Sequence, residues 1–590
     1  MFSDFDSHKI IKRRSCFVIL FSLIAFLIIS VKLFVLQIIN GDVYKKKSKA
    51  NRISTIITPP TRGDIFDSNK NLVAGTISSY NFVIYKYLNK EYSKELIDFK
   101  NIVVSELDLN EINNNLLKAN SYSLFHIFKN AKWDQIVNFE KNRILFSSIK
   151  IIETKKRYYP NKNFSQIIGY LSAANNSIKE FSKGAFHIEK YYDNYLTGQP
   201  GKIYNEVNAY GKIVREISNS PSTKGSDIVL TINSDLQNYC QNIIPKDKKG
   251  SIVVMKVVDG SILSLNSNPT FNSQIFEDRN SKEINNYFAN INNPMFNRAF
   301  SGFYPPGSVF KTLPALLGLE KGIIDQKSSF TCNGFTSIGS RNYYCWKKGG
   351  HGNVNLNKAI KESCDVYFFE LAKKINIDDL SLLAKDFGYS QKYPIGLSNE
   401  LPGLIPNKKW KKSKLNEGWY PGDTLITCIG QGANQVSPLQ LAVHFNSIIS
   451  GGVYPSPNII RGHKPKMLGR PINPSYQKII LDALNAVVND PRGTANKLVI
   501  NNPNFLTIGG KTGTSQVIRI KESSREDDLY KEMQKDQLEK FKDHSVFVGY
   551  GPVQNPKYIA SVLIEHGGGG STLAAPIAHK VLNHVSKLDV

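Results

Sequence analysis

Serine and lysine recur in this chain at a spacing that suits a hydroxyl nucleophile. Ser308 and Lys311 stand three residues apart in Pro305-Pro306-Gly307-Ser308-Val309-Phe310-Lys311, which opens a helical pattern with Phe310, Leu313 and Leu317 on one face. On a helix, side chains three apart share a face and reach each other. A serine hydroxyl is a poor nucleophile until its proton is taken, and a lysine whose pKa is lowered by burial or neighbours can take it. The helix start adds backbone N–H groups for an oxyanion. Ser363-Cys364-Asp365, between helical stretches, offers a second hydroxyl and a polar partner. Lys511-Thr512-Gly513-Thr514 follows Gly509-Gly510 in a strand-like run, so alternation puts Lys511 and Gly513 on the face opposite Thr512 and Thr514. A lone Ser-x-x-Lys occurs by chance on many surface helices. All three elements in this order are specific.

A second cluster has soft ligands. Cys332, Cys345, His351 and Cys364 are separated by twelve, five and twelve residues. Three thiolates and an imidazole have the number and type of a closed tetrahedral structural zinc site. The spacing is not the paired Cys-x-x-Cys form, and a Cys332–Cys345 disulfide with Cys364 simply buried is the alternative in an oxidising compartment. Because Cys364 lies between Ser363 and Asp365, a metal there would tie the second catalytic element to the loop from Cys332 to His351.

The chain that must position these groups has 590 residues, 41% hydrophobic and 11% aromatic, which excludes wholesale disorder. Lys and Arg total 75 against 49 acidic residues, a net charge of +26. The basic residues are spread along the chain beside abundant Asn, Ile, Tyr and Phe, and no nucleic-acid motif accompanies them, so the charge reads as compositional background and not as a nucleic-acid footprint. Six cysteines exclude a disulfide-built scaffold. Ser15 to Val31 is an uncharged apolar run that Leu33 to Ile39 continues past Lys32. It predicts one uncleaved transmembrane anchor, with Lys32 snorkelling at the far interface. Lys9, Lys12, Arg13 and Arg14 favour a cytoplasmic N-terminus, although Lys45, Lys46, Lys47 and Lys49 blur that asymmetry. The rest then lies outside the cytoplasm.

The predicted organisation is a tail (1–14), an anchor (15–39), a non-catalytic module (40–230) and a catalytic domain (250–590). Phe82 to Tyr85 reads as a strand. Ser251 to Val258 and Ser261 to Leu265 read as strands joined by a two-residue Asp259-Gly260 hairpin. Residues 308–500 read as mostly helical. Strand patterns return at Thr507–Gln516, His544–Tyr550 and Tyr558–Glu565, before an amphipathic helix from Pro576. Strands first and last with helices between imply an α+β domain whose sheet is closed by distant segments. Lys521 to Lys542, with thirteen charged residues in twenty-two, reads as a solvated insertion. His187, His544 and His566 read as structural, since the chemistry above requires no imidazole.

These motifs resemble the class B penicillin-binding proteins, and the resemblance runs from anchor to C-terminus. Arg62-Gly63-Asp64-Ile65-Phe66-Asp67 is similar to the first motif of the family's pedestal. Gly184 to Glu189, Leu196 to Gly201 and Gly211 to Glu216 are similar to later ones. Asn297-Arg298-Ala299, Gly430-Gln431-Gly432 and Pro438-Leu439-Gln440 also fit. Asp365, where most relatives carry Asn, and Trp346 to Gly352 resemble the elongation-type subgroup and not the septal one.

The resemblance implies an elongated mixed α/β pedestal, a dimerisation-like non-catalytic domain, before a serine β-lactamase-like transpeptidase domain, an antiparallel sheet with helices. It implies a serine-type D-Ala-D-Ala carboxypeptidase/transpeptidase acting during cell-wall elongation and rod-shape maintenance. Ser308 would attack the penultimate D-Ala carbonyl of a peptidoglycan stem peptide ending in D-Ala-D-Ala. Lys311 would be the base and Ser363 a proton relay, with Asp365 beside them. Lys511, Thr512, Gly513 and Thr514 would form the strand that receives the substrate carboxylate. The N–H groups of Ser308 and Thr514 would form the oxyanion hole. β-Lactams are implied as covalent inhibitors, zinc ligands as a feature of elongation-type relatives, and the SEDS-family glycosyltransferase RodA and elongation-complex scaffold proteins as partners at the inner membrane. A septal-type enzyme, a β-lactamase, a β-lactam sensor and a non-catalytic scaffold are the alternatives. The long anchored N-terminal half speaks against a β-lactamase, and the single apolar span against a multi-span sensor.

Overall fold

The computed structural model describes residues 4–86, 91–119, 124–173, 182–208, 213–501, 505–517 and 542–588. Most of the charged insertion from Lys521 to Lys542, and Gly211-Lys212 of the pedestal motif Gly211 to Glu216, lie outside the described residues.

The apolar N-terminal run forms one helix, α1 (Asp4–Phe34), extended by a wider turn to Ile39. Its apolar span covers Ile11–Ile39, 29 residues, which at 1.5 Å per residue is about 43 Å and exceeds a hydrocarbon core of about 30 Å. Among the described residues it is the one helix long and apolar enough to cross a membrane.

Two compact units follow from the packing. One is Met1–Thr61 with Thr197–Gly225, the other Arg62–Leu196 with Ser226–Val590. The first contains a three-stranded antiparallel sheet of Ile53–Thr58, Gly201–Val207 and Ile213–Ser220. Residues 62–196 group with the larger unit. There Arg62 binds Glu189 at 2.7 Å and Asp193 at 2.8 Å, and Arg157 binds the other Glu189 oxygen at 2.8 Å. Glu189 is fully buried, so both guanidinium groups supply the pairing that its charge needs in an apolar surround. A long strand, Leu72–Tyr85, includes the predicted Phe82–Tyr85 segment. Phe82, Phe99, Phe139 and Phe146 build a separate small core beside it.

The catalytic sheet has strands β1 (Gly250–Lys256), β2 (Ile262–Asn268), β3 (Gly509–Ser515), β4 (His544–Gly551) and β5 (Tyr558–Ile564), in the order β2-β1-β5-β4-β3 and antiparallel throughout. Every residue of β5 is buried, which continuous apolar composition permits only when both faces are covered. Helix Ala574–Leu588 packs on β4 and β5, and Pro438–Ile449 on β1 and β5. The sheet is closed by distant segments, as the sequence implied. The first hairpin differs from expectation. Its loop runs from residue 257 to 261 with Gly260 at φ +69°, longer than a two-residue turn. The 308–500 stretch is also less helical than its pattern suggests. Ser329–Cys332 pairs with Gly352–Asn355, and Phe335–Ile338 with Arg341–Tyr344, giving two short ribbons too polar and brief to show a period.

Candidate active site

The nucleophile turn is a tight helical segment, Gly307–Lys311, that runs directly into helix Thr312–Glu320. Gly307 sits at φ +57°, and a Cβ there would lie 2.6 Å from the Thr514 carbonyl oxygen. Only glycine lets this turn approach the edge strand β3 so closely. Ser308 is half-buried and Lys311 fully buried beneath it.

Lys311 Nζ donates to Asp365 Oδ1 at 2.8 Å, to the Ser363 carbonyl at 2.9 Å and to Ser363 Oγ at 3.4 Å. The expected direct bond between Lys311 and Ser308 is not formed in this resting arrangement. Catalytic hydrogen bonds are commonly long before substrate arrives. From the facing strand, Lys511 Nζ donates to the same Ser363 hydroxyl at 3.0 Å. One hydroxyl thus lies between two buried amines. Burial holds the Lys511 ammonium well below its ordinary pKa; the nearby Lys311 charge pushes the same way, and Asp365 partly offsets both. Ser363 itself takes φ +55°, a left-handed conformation costing a non-glycine residue about 1–2 kcal/mol, which its paired contacts offset.

Strand alternation places the third element as the pattern required. Lys511 faces Ser363, and a Cβ on Gly513 would point at Pro306 and Val309 of the nucleophile turn. The Thr512 hydroxyl instead pairs with that of Thr494 at 2.8 Å. Thr514 lies at the turn, its carbonyl accepting from Gln431 Nε2 at 2.8 Å.

The soft-ligand set also comes together. The donor atoms of Cys332, Cys345, His351 and Cys364 all lie within 4.8 Å of one another, and all four residues are buried. The cysteines are free thiols, so the expected alternative of a Cys332–Cys345 bridge is not formed here. His351 Nδ1 is 3.6 Å from Cys332 Sγ and 3.5 Å from Cys345 Sγ. A tetrahedral zinc with Zn–S near 2.3 Å and Zn–N near 2.05 Å sets S···N at about 3.6 Å. The donor set therefore fits that ion in number, type and spacing. Cys364 points into this cluster, while its neighbours Ser363 and Asp365 reach Lys311.

Sequence reasoning assigned no role to several groups that shape the site. The Trp346 backbone N–H donates to Asp365 Oδ2 at 3.0 Å, and its indole N–H to the Ser363 carbonyl at 3.1 Å. Gln431 and Thr494 brace β3 from two loops. Their partners are remote in sequence, and no periodicity marks them. The three histidines stand apart from the chemistry. His187 exchanges hydrogen bonds with Ser398, and burial pushes its pKa down to about 3. His544 pairs opposite Ser515 and accepts from the His566 N–H at 3.0 Å.

Comparison with known proteins agrees with this geometry. The family model of the penicillin-binding protein transpeptidase domain matches residues 250–583, and that of the penicillin-binding protein dimerisation domain matches residues 57–230. The peptidoglycan D,D-transpeptidase MrdA of Haemophilus influenzae is 29% identical, covering 93% of this chain and 88% of its own. The MrdA protein of Acinetobacter baumannii is 30% identical, covering 96% and 87%. The solved structure of penicillin-binding protein PBP2 from Helicobacter pylori, in its complex with MreC, superposes with a TM-score of 0.77 at 28% identity, covering 91% of this chain and 99% of that one.

Proposed function

The chain belongs to the penicillin-binding protein family, and from that premise we propose that it is a peptidoglycan D,D-transpeptidase of the elongation type, working through a serine acyl-enzyme at Ser308. The observation that carries the reading is Ser363 Oγ held between Lys311 and Lys511 beside the Ser308 turn. In the first half-reaction Ser308 Oγ attacks the penultimate D-Ala carbonyl carbon and Lys311, which acts as the base in its neutral amine form, takes its proton. The C–O bond forms, the C–N bond to the terminal D-Ala breaks, and the departing amine receives the proton through Ser363. In the second half an amine of a neighbouring stem attacks the ester carbonyl, loses its proton to the same relay and restores the serine hydroxyl. Lys511 and Thr514 would receive the substrate carboxylate. Backbone N–H groups of Ser308 and Thr514 would hold the developing oxyanion.

Residues 11–39 would anchor the enzyme in the cytoplasmic membrane, with the catalytic unit in the periplasm. A zinc ion held by Cys332, Cys345, His351 and Cys364 would fix the loop that carries Trp346 and, through Cys364, the Ser363–Asp365 turn. Scaffold contact would follow the MreC complex of the H. pylori relative, and a SEDS-family glycosyltransferase such as RodA would be the polymerising partner in the elongation role.

Intact mass after exposure to a penicillin, with peptide mapping, tests the core of this reading. One adduct per chain on Ser308, abolished in Ser308→Ala, is expected; an adduct persisting in that variant refutes it. Metal analysis of the purified chain tests the zinc site. About one zinc per chain is expected for a single closed site; zinc-free protein with Cys332 and Cys345 recovered as a disulfide refutes it.

A further inference from the structure

The two proposed oxyanion donors come from opposite ends of the catalytic domain, Ser308 on the nucleophile turn and Thr514 on the edge strand. Catalysis by such a pair depends on their spacing being set before the substrate arrives. Two adjacent residues from a third segment span that gap. The Gly430 carbonyl accepts from the Gly307 N–H at 2.9 Å, which fixes the turn one residue before Ser308. The Gln431 side chain donates to the Thr514 carbonyl at 2.8 Å, and its own carbonyl oxygen accepts from the Gln516 N–H at 3.3 Å, so the amide clips β3 on both sides of Ser515.

The bracket is itself held. Gly430 and Gly432 take φ +73° and +74°, and a Cβ at Gly430 would collide with the Gly307 carbonyl. Asn434, fully buried, donates to the Gln431 carbonyl at 2.8 Å and to the Thr427 carbonyl at 3.1 Å. The Gly430 N–H donates back to the Thr427 carbonyl at 2.9 Å. Gln431 is 9% exposed, so water does not readily replace its contacts.

We propose that Gln431 is a positioning residue for the oxyanion hole, its amide setting the Thr514 N–H at the distance from the Ser308 N–H that the tetrahedral intermediate needs. It touches no reacting atom. The role rests on the acyl-transfer reading above. Because the carbonyl and N–H flanking one Cα move together, freeing the Thr514 carbonyl frees the strand segment that carries its N–H. Both atoms of the side-chain amide are used, so neither half can be altered silently. Glutamate at this position keeps the acceptor for Gln516 but turns a carboxylate oxygen towards the Thr514 carbonyl. Once protonated, it can donate there again.

The experiment uses the full-length chain in detergent with a fluorescent penicillin, separating the acylation rate constant from the preceding non-covalent affinity. Wild-type protein must label at Ser308; failure to do so refutes the acyl-transfer reading and not this role alone. For Gln431→Ala the rate constant is expected to fall about 10- to 100-fold, the range for a misplaced donor short of its complete removal. Non-covalent affinity should stay within about threefold, since it does not draw on the oxyanion. Gln431→Glu should match that loss near neutral pH. Relative to wild type it should recover as pH falls towards about 5 and the introduced carboxyl protonates, while Gln431→Ala keeps a constant ratio. A labelled wild type with Gln431→Ala acylating within threefold of it overturns the proposal. So does an equal loss of affinity and rate constant, or a Gln431→Glu ratio that ignores pH.

Discussion

Replacing Asp365 by alanine should destabilise the catalytic unit as well as silence it. The Lys311 side chain is 0% exposed and its Nζ lies 2.8 Å from Asp365 Oδ1, itself only 13% exposed. Coulomb's law at that distance, with an effective dielectric of about 20, gives about 6 kcal/mol of attraction. Much of that offsets the cost of taking both charges out of water. Removing one partner leaves the cost uncompensated, a deficit of about 3–5 kcal/mol for a buried pair. The Ser363 carbonyl and hydroxyl and the Phe368 ring, none of them charged, then face the ammonium, and the Trp346 N–H loses its acceptor. At about 2 °C per kcal/mol for a domain of this size, the thermal midpoint should fall by about 6–10 °C. Asp365→Asn loses only the charge-assisted part, about 1–2 kcal/mol, because one amide oxygen cannot serve Lys311 and Trp346 together. The assay is thermal unfolding of wild type, both single variants and Lys311→Met/Asp365→Ala, with bound zinc measured alongside because Cys364 is adjacent. The double variant, which removes the stranded charge, should recover more than half of the loss. A double variant no more stable than Asp365→Ala, or Asp365→Ala within about 1 °C of wild type, would refute the reasoning.

Lys511 has its folded pKa depressed by burial, so the unfolded chain binds the extra proton, and its burden on stability is full below the depressed value and fades as pH rises from there towards the ordinary lysine value near 10.4. Lys511→Met should therefore abolish penicillin acylation yet unfold at a higher temperature than wild type near pH 7, with the gap narrowing as pH rises towards about 10.4; a pH-independent gap would show that the amine is not depressed. Gly307→Ala combines a left-handed φ of +57° with a Cβ 2.6 Å from the Thr514 carbonyl oxygen, so the turn must withdraw from β3. Its acylation rate constant should drop more than tenfold, measured by stopped-flow labelling, and an unaffected rate would mean that the close approach is not used.

What the sequence by itself determined is what local pattern encodes. Apolar runs longer than a hydrocarbon core, strand runs such as Tyr558–Ile564 and the Ser308-to-Lys311 spacing each carry their meaning within a few residues, because helix and strand periods are properties of neighbouring backbone. They made the long apolar helix, the α+β sheet and the residues that meet at the candidate site legible. The soft donors Cys332, Cys345, His351 and Cys364 were legible as one candidate set, but the ribbons that gather them were not. Two short ribbons with polar, alternating strands bring them within 4.8 Å, and no period distinguishes such ribbons from loop. Trp346, Gln431 and Thr494 were named, if at all, as parts of motifs. Each works through a hydrogen bond to a backbone group or hydroxyl 17 to 83 residues away. A hydrogen bond acts over about 3 Å, whereas the chain separating those partners has no fixed length in space until it folds. Which residue braces the Thr514 carbonyl, and which carbonyl a tryptophan reaches, was decided by the packing of the sheet and its helices alone.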